Sequence, residues 1–332
     1  MRSLGGKVKV AILETPAGFQ PNSELVARKL ADFFRIRLAE HVSDVWIVPA
    51  RRQDGEASTN SPSILSPLIR ANYLFMGPGS PTYTVKHMAG SLAYRTIAAR
   101  HRQGAVLCLA SAATIAFGRH CLPVYEIFKV GDDLHWKDGL DFLGRYGLSV
   151  SFVTHWNNQE GGEELDTSCC FMGRDRMTKL LAMLPVNETV IAIDEHTALV
   201  IDLDQGQCWV RGIGKVYLIR SAEVTLIAGA YETFPIDVIG QLTIPNEAEL
   251  ALPEVNWPAA SLGYEGLDQG AIERILRERA AARKQKNWTQ ADALRQQLQD
   301  LGIEVRDTPE GTLWRSSHKA DTEWRLLSDS SP

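Results

Sequence analysis

The sequence predicts an α/β fold, with a parallel sheet covered by helices on both sides, followed by a small α+β helical-hairpin module. Three observations carry this. Apolar runs such as "VKVAIL" and "AVLCLA" alternate with stretches of helical spacing from Val8 to Ala110. The runs are apolar at successive positions, as strands buried on both faces are. Two further helical stretches follow a proline-rich segment near the end of the chain.

In order, "VKVAIL" (8–13) is expected to be a buried strand. "ELVARKLADFFRIRL" (24–38) is expected to be a helix, with Leu25, Leu30, Phe33, Phe34 and Leu38 at helical spacing. "DVWIVPA" (44–50) is a second strand and the polar, turn-rich "RRQDGEASTNSPSIL" (51–65) a surface loop. "NYLFM" is a strand that ends in the turn "GPGSP", "SLAYRTIAARHRQG" (91–104) is a helix, and "AVLCLA" (105–110) is the next strand. Beyond Val150 come a strand "VSFVTHW", a polar insert "NNQEGGEELDTS" and a helix "RDRMTKLLAMLP". Four short apolar runs between Thr189 and Arg220 are expected to complete the sheet edge. Pro235, Pro245, Pro253 and Pro258 mark a linker, giving expected boundaries of 1–235, 236–268 and 269–332. In the last part Thr289 is the expected N-cap of the second helix and Pro309-Glu310-Gly311 the turn of a terminal hairpin.

The chain has 332 residues, 45% of them hydrophobic, enough for more than one core. A formal net charge of −5 excludes the overall basic excess of a nucleic-acid coat. Five cysteines with no CxxC pair support neither a zinc site nor a disulfide framework, so reduced thiols and a cytoplasmic location are expected. No segment approaches the ~18 apolar residues of a membrane span. No cofactor and no metal are expected.

The chemistry centres on "CLASAAT". Ser111 follows an apolar run and precedes a helical start, at the carboxyl end of a strand, where open α/β sheets place their sites. Taken alone, such a serine is more often a satisfied core hydroxyl. The amides of Ala112 and of Gly79, in the glycine-rich "GPGSP" turn, are candidate oxyanion donors, and Gly77 in the same turn is a candidate substrate contact. His155, at the end of "VSFVTH", is the candidate base, and a carboxylate should orient it.

The segments "FMGPGSP", "LASAAT", "THW", "FMGRDRMTKLL" and "AIDEHTALVID", in that order, resemble the cyanophycinase and aspartyl dipeptidase group of serine peptidases. The resemblance spans roughly Lys7 to Tyr231. It implies a flavodoxin-like three-layer α/β/α sandwich of the class I glutamine amidotransferase type, with Asp-directed peptidase activity. It places Ser111 and Ala112 in the family's Gly-Thr-Ser-Ala-Gly elbow and His155 at its histidine. Arg174 and Arg176 fall on its substrate-binding Arg-x-Arg pattern. Its acid falls near Glu126, with Asp132, Asp133 and Asp138 as alternatives close by. Asp194 and Glu195 are expected to shape the pocket floor or cap a turn. This chain departs from the pattern at Leu109 and Ala113, where the elbow has glycines, at Val153-Thr154, and in the long acidic insert after His155.

The tail resembles the C-terminal end of cysteinyl-tRNA synthetase through Arg279, Ala282-Arg283, Trp288, Ala291-Asp292, Arg295, Leu298, Gly302-Ile303, Asp307-Thr308, Gly311-Thr312 and Trp314. That implies contact with tRNA or another RNA. Arg274, Arg277, Arg279, Arg283, Lys284 and Lys286 would meet phosphates, and Trp314 would stack on a base. The alternative is a packing or oligomerisation module with a solvated charged face. No His-Ile-Gly-His or Lys-Met-Ser-Lys-Ser motif is present, so aminoacylation is not expected. The expected partners are a small peptide or amide substrate and RNA, with no membrane. A homodimer stays open, and so does a non-catalytic RNA-associated role in which the first domain is a scaffold.

Overall fold

The computed structural model describes residues 7–243, 251–258, 269–300, 303–308, 311–316 and 324–327. The chain divides into two units, Met1–Glu254 and Val255–Pro332.

In the first unit, strand β1 (Val8–Leu13) is followed by helix α1 (Ser23–Arg37), β2 (Val42–Val48), α2 (Pro62–Arg70) and β3 (Tyr73–Met76). Helices α3 (Pro81–Met88) and α4 (Leu92–Arg102), β4 (Val106–Leu109) and the short α5 (Ala112–Ala116) come next. β2, β1, β3 and β4 pair in that order, all parallel. β1, in the middle of the sheet, is buried nearly throughout, whereas β4, expected to be buried on both faces, lies at one end of this sheet and is only half-buried along its length. Val10, Ile12 and Phe34 pack into one core cluster there.

A hairpin of β5 (His120–Cys121) and β6 (Lys137–Asp138) encloses a π-helical turn, Glu126–Val130. β7 (Val150–Val153), α6 (Gly173–Ala182), β8 (Thr189–Ile193), β9 (Thr197–Asp202), β10 (Gln207–Gly212), β11 (Val216–Arg220), β12 (Glu223–Ala228) and β13 (Thr233–Pro235) complete the unit. β7 and β8 pair in parallel, and β11 and β12 extend this second sheet antiparallel. Its residues alternate between two cores. Val150, Phe152, Ile191 and Ile193 face one, with Cys208 and Val210. Val153, Val190 and Ala192 face the other, with Met177 and Leu180 of α6.

Three expectations are corrected here. The stretch 51–65 is not all loop: Pro62 opens α2, whose Leu65 and Leu68 are fully buried one turn apart. The runs between Thr189 and Arg220 do not all extend one edge. β9 and β10 pair with β13 in a separate antiparallel sheet. The linker does not begin at residue 236. Ile236 and Ile239 are buried, Arg220 donates to the carbonyls of Val238 and Ile239, and the Thr243 amide donates to Tyr146 O. Residues 244–250 and 259–268 of the expected linker lie outside the described residues.

The second unit contains α7 (Gln269–Lys284), α8 (Trp288–Asp300) and a sheet of β14 (Ile303–Thr308), β15 (Gly311–Ser316) and β16 (Arg325–Leu326). Leu276, Leu298, Ile303 and Trp314 form its core. Arg279 lies among them, only 3% exposed. Its two Nη atoms donate to the two carboxylate oxygens of Asp307 at 2.9 and 2.8 Å. Thr312 and Arg283 also bond Asp307.

A buried guanidinium that loses its counter-charge is expensive. Asp307→Asn is therefore expected to destabilise this unit by about 3 kcal/mol, the low end for a buried pair because Asp307 is partly exposed. Chemical denaturation read by amide hydrogen exchange in β14 and β15 checks this. Arg279, more than any other neighbour, holds the Asp307 carboxyl below its usual range. The folded value is thus below the unfolded one, so the stabilisation is complete above the ordinary aspartate range near 3.9. It is expected to drain away as pH falls through the lower, folded value, and a pH series of the same denaturation reads it.

Candidate active site

Ser111 sits directly between β4 and α5 at φ 53 and ψ −116, a conformation that non-glycine residues rarely adopt. Such strain costs on the order of 1–3 kcal/mol and persists only where the surroundings enforce it. Here the Ala110 amide donates to Met76 O and the Ala113 amide to Ala110 O, which closes the turn tightly. The elbow glycines are replaced by Leu109, a half-buried residue at the end of β4, and by Ala113, fully buried in α5. The turn forms without Gly at 109 or 113.

β7 ends at Val153, and two residues later His155 also has a positive φ, 53. The Trp156 amide donates to Ile193 O and the Cys170 amide to His155 O, fixing the loop on both sides. His155 Nε2 lies 2.8 Å from Ser111 Oγ. Its Nδ1 lies 2.9 Å from Glu195 Oε1. With Nδ1–H donating to the carboxylate, Nε2 is the acceptor for the serine hydroxyl.

Glu195 occupies the turn between β8 and β9. Asp194 Oδ2 accepts the Lys215 amide at 2.9 Å, and Thr197 Oγ1 donates to Glu195 O at 3.0 Å. Two consecutive asparagines from the start of the polar insert fix the rest. Asn157 Oδ1 accepts the Glu195 amide at 2.8 Å, and Asn158 Nδ2 donates to Glu195 Oε1 at 2.9 Å. The Asn158 amide first, and then the His155 ring, hold the Glu195 carboxyl below its usual range. It stays an anion beside the imidazole.

The expectation for Glu126 is not met. Its Oε1 accepts Thr82 Oγ1 at 2.6 Å and lies 3.6 Å from Lys137 Nζ, on the wall of a neighbouring cleft. Asp132, Asp133 and Asp138 are exposed, and none contacts His155. The acid at the histidine is Glu195, which the sequence reading left as pocket floor or turn cap.

Ser111, Ala112 and His155 line a cleft of about 200 Å³ with Gly79, Pro81, Ile115, Val124, Tyr125, Phe128, Lys129, Glu160, Cys170 and Phe171. Among the described residues, neither the Gly79 nor the Ala112 amide donates to a protein acceptor. A Cβ on Gly79 would lie 1.9 Å from Pro16 O. Gly79→Ala is expected to displace that turn, destabilise the unit by about 2–3 kcal/mol, and lower any activity at Ser111 with it. Thermal melting and turnover measured together check both effects.

Gly77 is a buried turn residue off the cleft wall. Arg174 is exposed, and its amide caps on Asp166. Arg176 donates to Met172 O at 2.5 Å and to Phe171 O at 2.9 Å. Neither arginine lines the cleft, so the substrate-binding place that the resemblance gives them is not met at this cleft. Cys170 does line it, but burial pushes its thiol up to about 12, so it stays protonated. All five cysteines are free. Among the described residues, no group of three or more metal-ligating side chains is placed to hold an ion, and no helix is long and apolar enough to cross a membrane.

A larger cleft, about 740 Å³, adjoins this one and shares Tyr125 with it. Phe19, Tyr83, Lys86 and Glu126 are on its wall.

In the second unit, two expected RNA-binding residues are internal. Trp314 is 4% exposed within the core, and Arg279 is held by Asp307. Arg283 is tethered to the same carboxylate. Lys284 is exposed, as are Lys286 and Trp288 just beyond it. The Arg274 side chain and the Pro309-Glu310 turn fall outside the described residues.

Comparison with known proteins separates the two units. The first has the flavodoxin-like α/β fold of a peptidase from an acI-B1 Actinobacterium. That structure aligns with a TM-score of 0.54 and 19% identity over 70% of this chain and 86% of that one. Residues 267–315 match the family model of the cysteinyl-tRNA ligase anticodon-binding domain. Over 44 residues the chain is 59% identical to the cysteine–tRNA ligase of Nitrosomonas eutropha, 13% of this chain and 9% of that protein. Over 49 residues it is 45% identical to that of Lactobacillus delbrueckii subsp. bulgaricus, 15% and 10% of the two chains. The chain thus spans about a tenth of the length of these curated relatives.

Proposed function

We propose that the first unit is a serine hydrolase that cleaves a small peptide or amide, and that the second binds tRNA. The observation that carries the hydrolase reading is the unbroken hydrogen-bond chain from Ser111 Oγ through the His155 ring to Glu195.

Ser111 Oγ attacks the scissile carbonyl carbon while its proton passes to His155 Nε2. Glu195 steadies the imidazolium that forms. The carbonyl oxygen becomes an oxyanion, and the uncommitted amides of Gly79 and Ala112 are the donors placed to receive it. His155 then gives its proton to the leaving amine, the C–N bond breaks, and an acyl-serine remains. Water repeats the sequence: its proton goes to His155, its oxygen bonds the acyl carbon, and Ser111 is released with its proton restored. The products are one carboxylic acid and one amine. A scaffold role for this unit is disfavoured, because a scaffold has no need of a serine hydroxyl, an imidazole and a carboxylate joined in one hydrogen-bonded chain.

Amine release from amide substrates by the full-length protein tests the reading. Turnover that a fluorophosphonate abolishes is expected. Turnover that a fluorophosphonate leaves untouched contradicts it.

The tRNA reading rests on the family match at residues 267–315, with Lys284 and Lys286 as phosphate contacts and Trp288 as the exposed aromatic. Filter binding of tRNA to the full-length protein is expected to weaken steeply between roughly 50 and 200 mM salt. Lys284→Ala and Lys286→Ala should each reduce the salt slope by about 1. Binding unchanged by both substitutions removes these lysines from the interface, and no binding even at roughly 50 mM salt points instead to a packing module.

A further inference from the structure

We propose that the cleft at Ser111 accepts an uncharged apolar side chain, aliphatic or aromatic, on the acyl side of the scissile bond and discriminates against an acidic one. This rests on the hydrolase reading and assigns its substrate class.

The wall around the nucleophile is built from Ile115, Val124, Phe128 and Phe171. All four belong to, or pack against, one continuous hydrophobic core. The space, about 200 Å³, falls below the ~300–1,000 Å³ of ordinary small-molecule pockets, which suits one side chain rather than a length of chain. The larger cleft beyond Tyr125 has room for the remainder of a substrate.

The fold spends strain on this wall. Cys169, Cys170 and Phe171 have φ of 55, 59 and 67, three consecutive left-handed non-glycine residues. Each costs on the order of 1 kcal/mol. The turn is held by the Phe171 amide on Thr167 O and the Gly173 amide on Ser168 O. Its result is Phe171 packed on Phe128, ring centroids 5.2 Å apart.

The cation that would recognise an acid is committed elsewhere. Arg176 caps the Phe171 and Met172 carbonyls, and its guanidinium lies 5.9 Å from the centre of the Phe128 ring. It braces the apolar wall from behind. Among the described residues, Lys129 is the lysine or arginine on the cleft wall; its ammonium lies over the Phe128 ring at 4.9 Å, and Glu160 shares the same cleft. A substrate carboxylate would be desolvated against aromatic rings with Glu160 opposing it, whereas a leucine or phenylalanine side chain only gains burial.

The test compares kcat/KM of the full-length protein on Leu-, Phe- and Asp-7-amido-4-methylcoumarin, with fluorophosphonate labelling of the same preparation. The better of Leu and Phe is expected to exceed Asp by at least about 100-fold. Phe128→Ala is expected to lower the apolar value about tenfold, mostly through KM. Asp equal to or above both apolar substrates, or labelled protein that cleaves neither of them, overturns the specificity and leaves the serine reading standing. Absence of labelling removes the hydrolase reading, and this inference with it.

Discussion

Ser111→Ala is expected to remove amide hydrolysis by a factor on the order of 10⁶ while the protein stays folded. The magnitude follows from how such units work. Nucleophile, base and acid act together, so losing the nucleophile costs nearly as much as losing all three. The residual rate would come from binding and from the Gly79 and Ala112 amides alone. The fold should survive because Ser111 Oγ makes its hydrogen bond to His155, not to the backbone that shapes the turn. Alanine meets the same φ of 53 as serine does, so no new strain enters. A circular dichroism spectrum and melting curve matching wild type, beside a flat progress curve, is the expected pair of results. Full turnover in the variant would place the chemistry elsewhere.

Glu195→Gln is expected to lower kcat about 10⁴-fold with little change in KM, and Glu126→Gln less than tenfold. An uncharged amide in place of the carboxylate can present its NH₂ to His155 Nδ1. That turns the ring to the tautomer whose Nε2 carries the proton and cannot accept one from Ser111. Glu126 touches Thr82 and Lys137, so its replacement disturbs the neighbouring cleft and not the imidazole. Steady-state kinetics on both variants separates the two carboxylates. A larger loss from Glu126→Gln than from Glu195→Gln would contradict the geometry.

These two carboxylates also mark where the sequence stops being legible. Ser111 and His155 can be found because each closes an apolar strand, and strand ends are visible in local pattern. The acid depends on which strand lies beside β7. β8 pairs with it in parallel, with Val153 opposite Ala192. His155 is two residues past the first of these and Glu195 three past the second, so both carboxyl ends deliver their side chains to one place. Strand neighbours of this kind are a tertiary fact, and the short sequence distance from Ser111 favoured Glu126 instead. The polar insert shows the same limit. Its composition reads as surface loop, yet Asn157 and Asn158 fix Glu195.

In the second unit, charge was legible and burial was not. Arg279 counts as a surface cation until its position is set against Leu276 and Ala282, which share its helix face and are buried with it. Trp314 is likewise a core residue of the hairpin, while Trp288, at the start of α8, is 58% exposed. In the first unit, α2 is short and packing against larger neighbours decides its form. β9 and β10 are legible as strands, but their pairing with β13 in a separate sheet is a tertiary fact like the placing of Glu195.

The most direct test of the central claim, that Ser111 is a nucleophile activated by His155 and Glu195, is the position of a fluorophosphonate adduct. Trypsin cuts after Arg102 and Arg119, and the peptide between them, "QGAVLCLASAATIAFGR", contains a single serine. Tandem mass spectrometry of the labelled protein is expected to find one adduct, on Ser111 of this peptide, and none in the His155→Ala protein. An unmodified peptide after prolonged exposure, or an adduct of equal yield in the His155→Ala protein, would contradict the account.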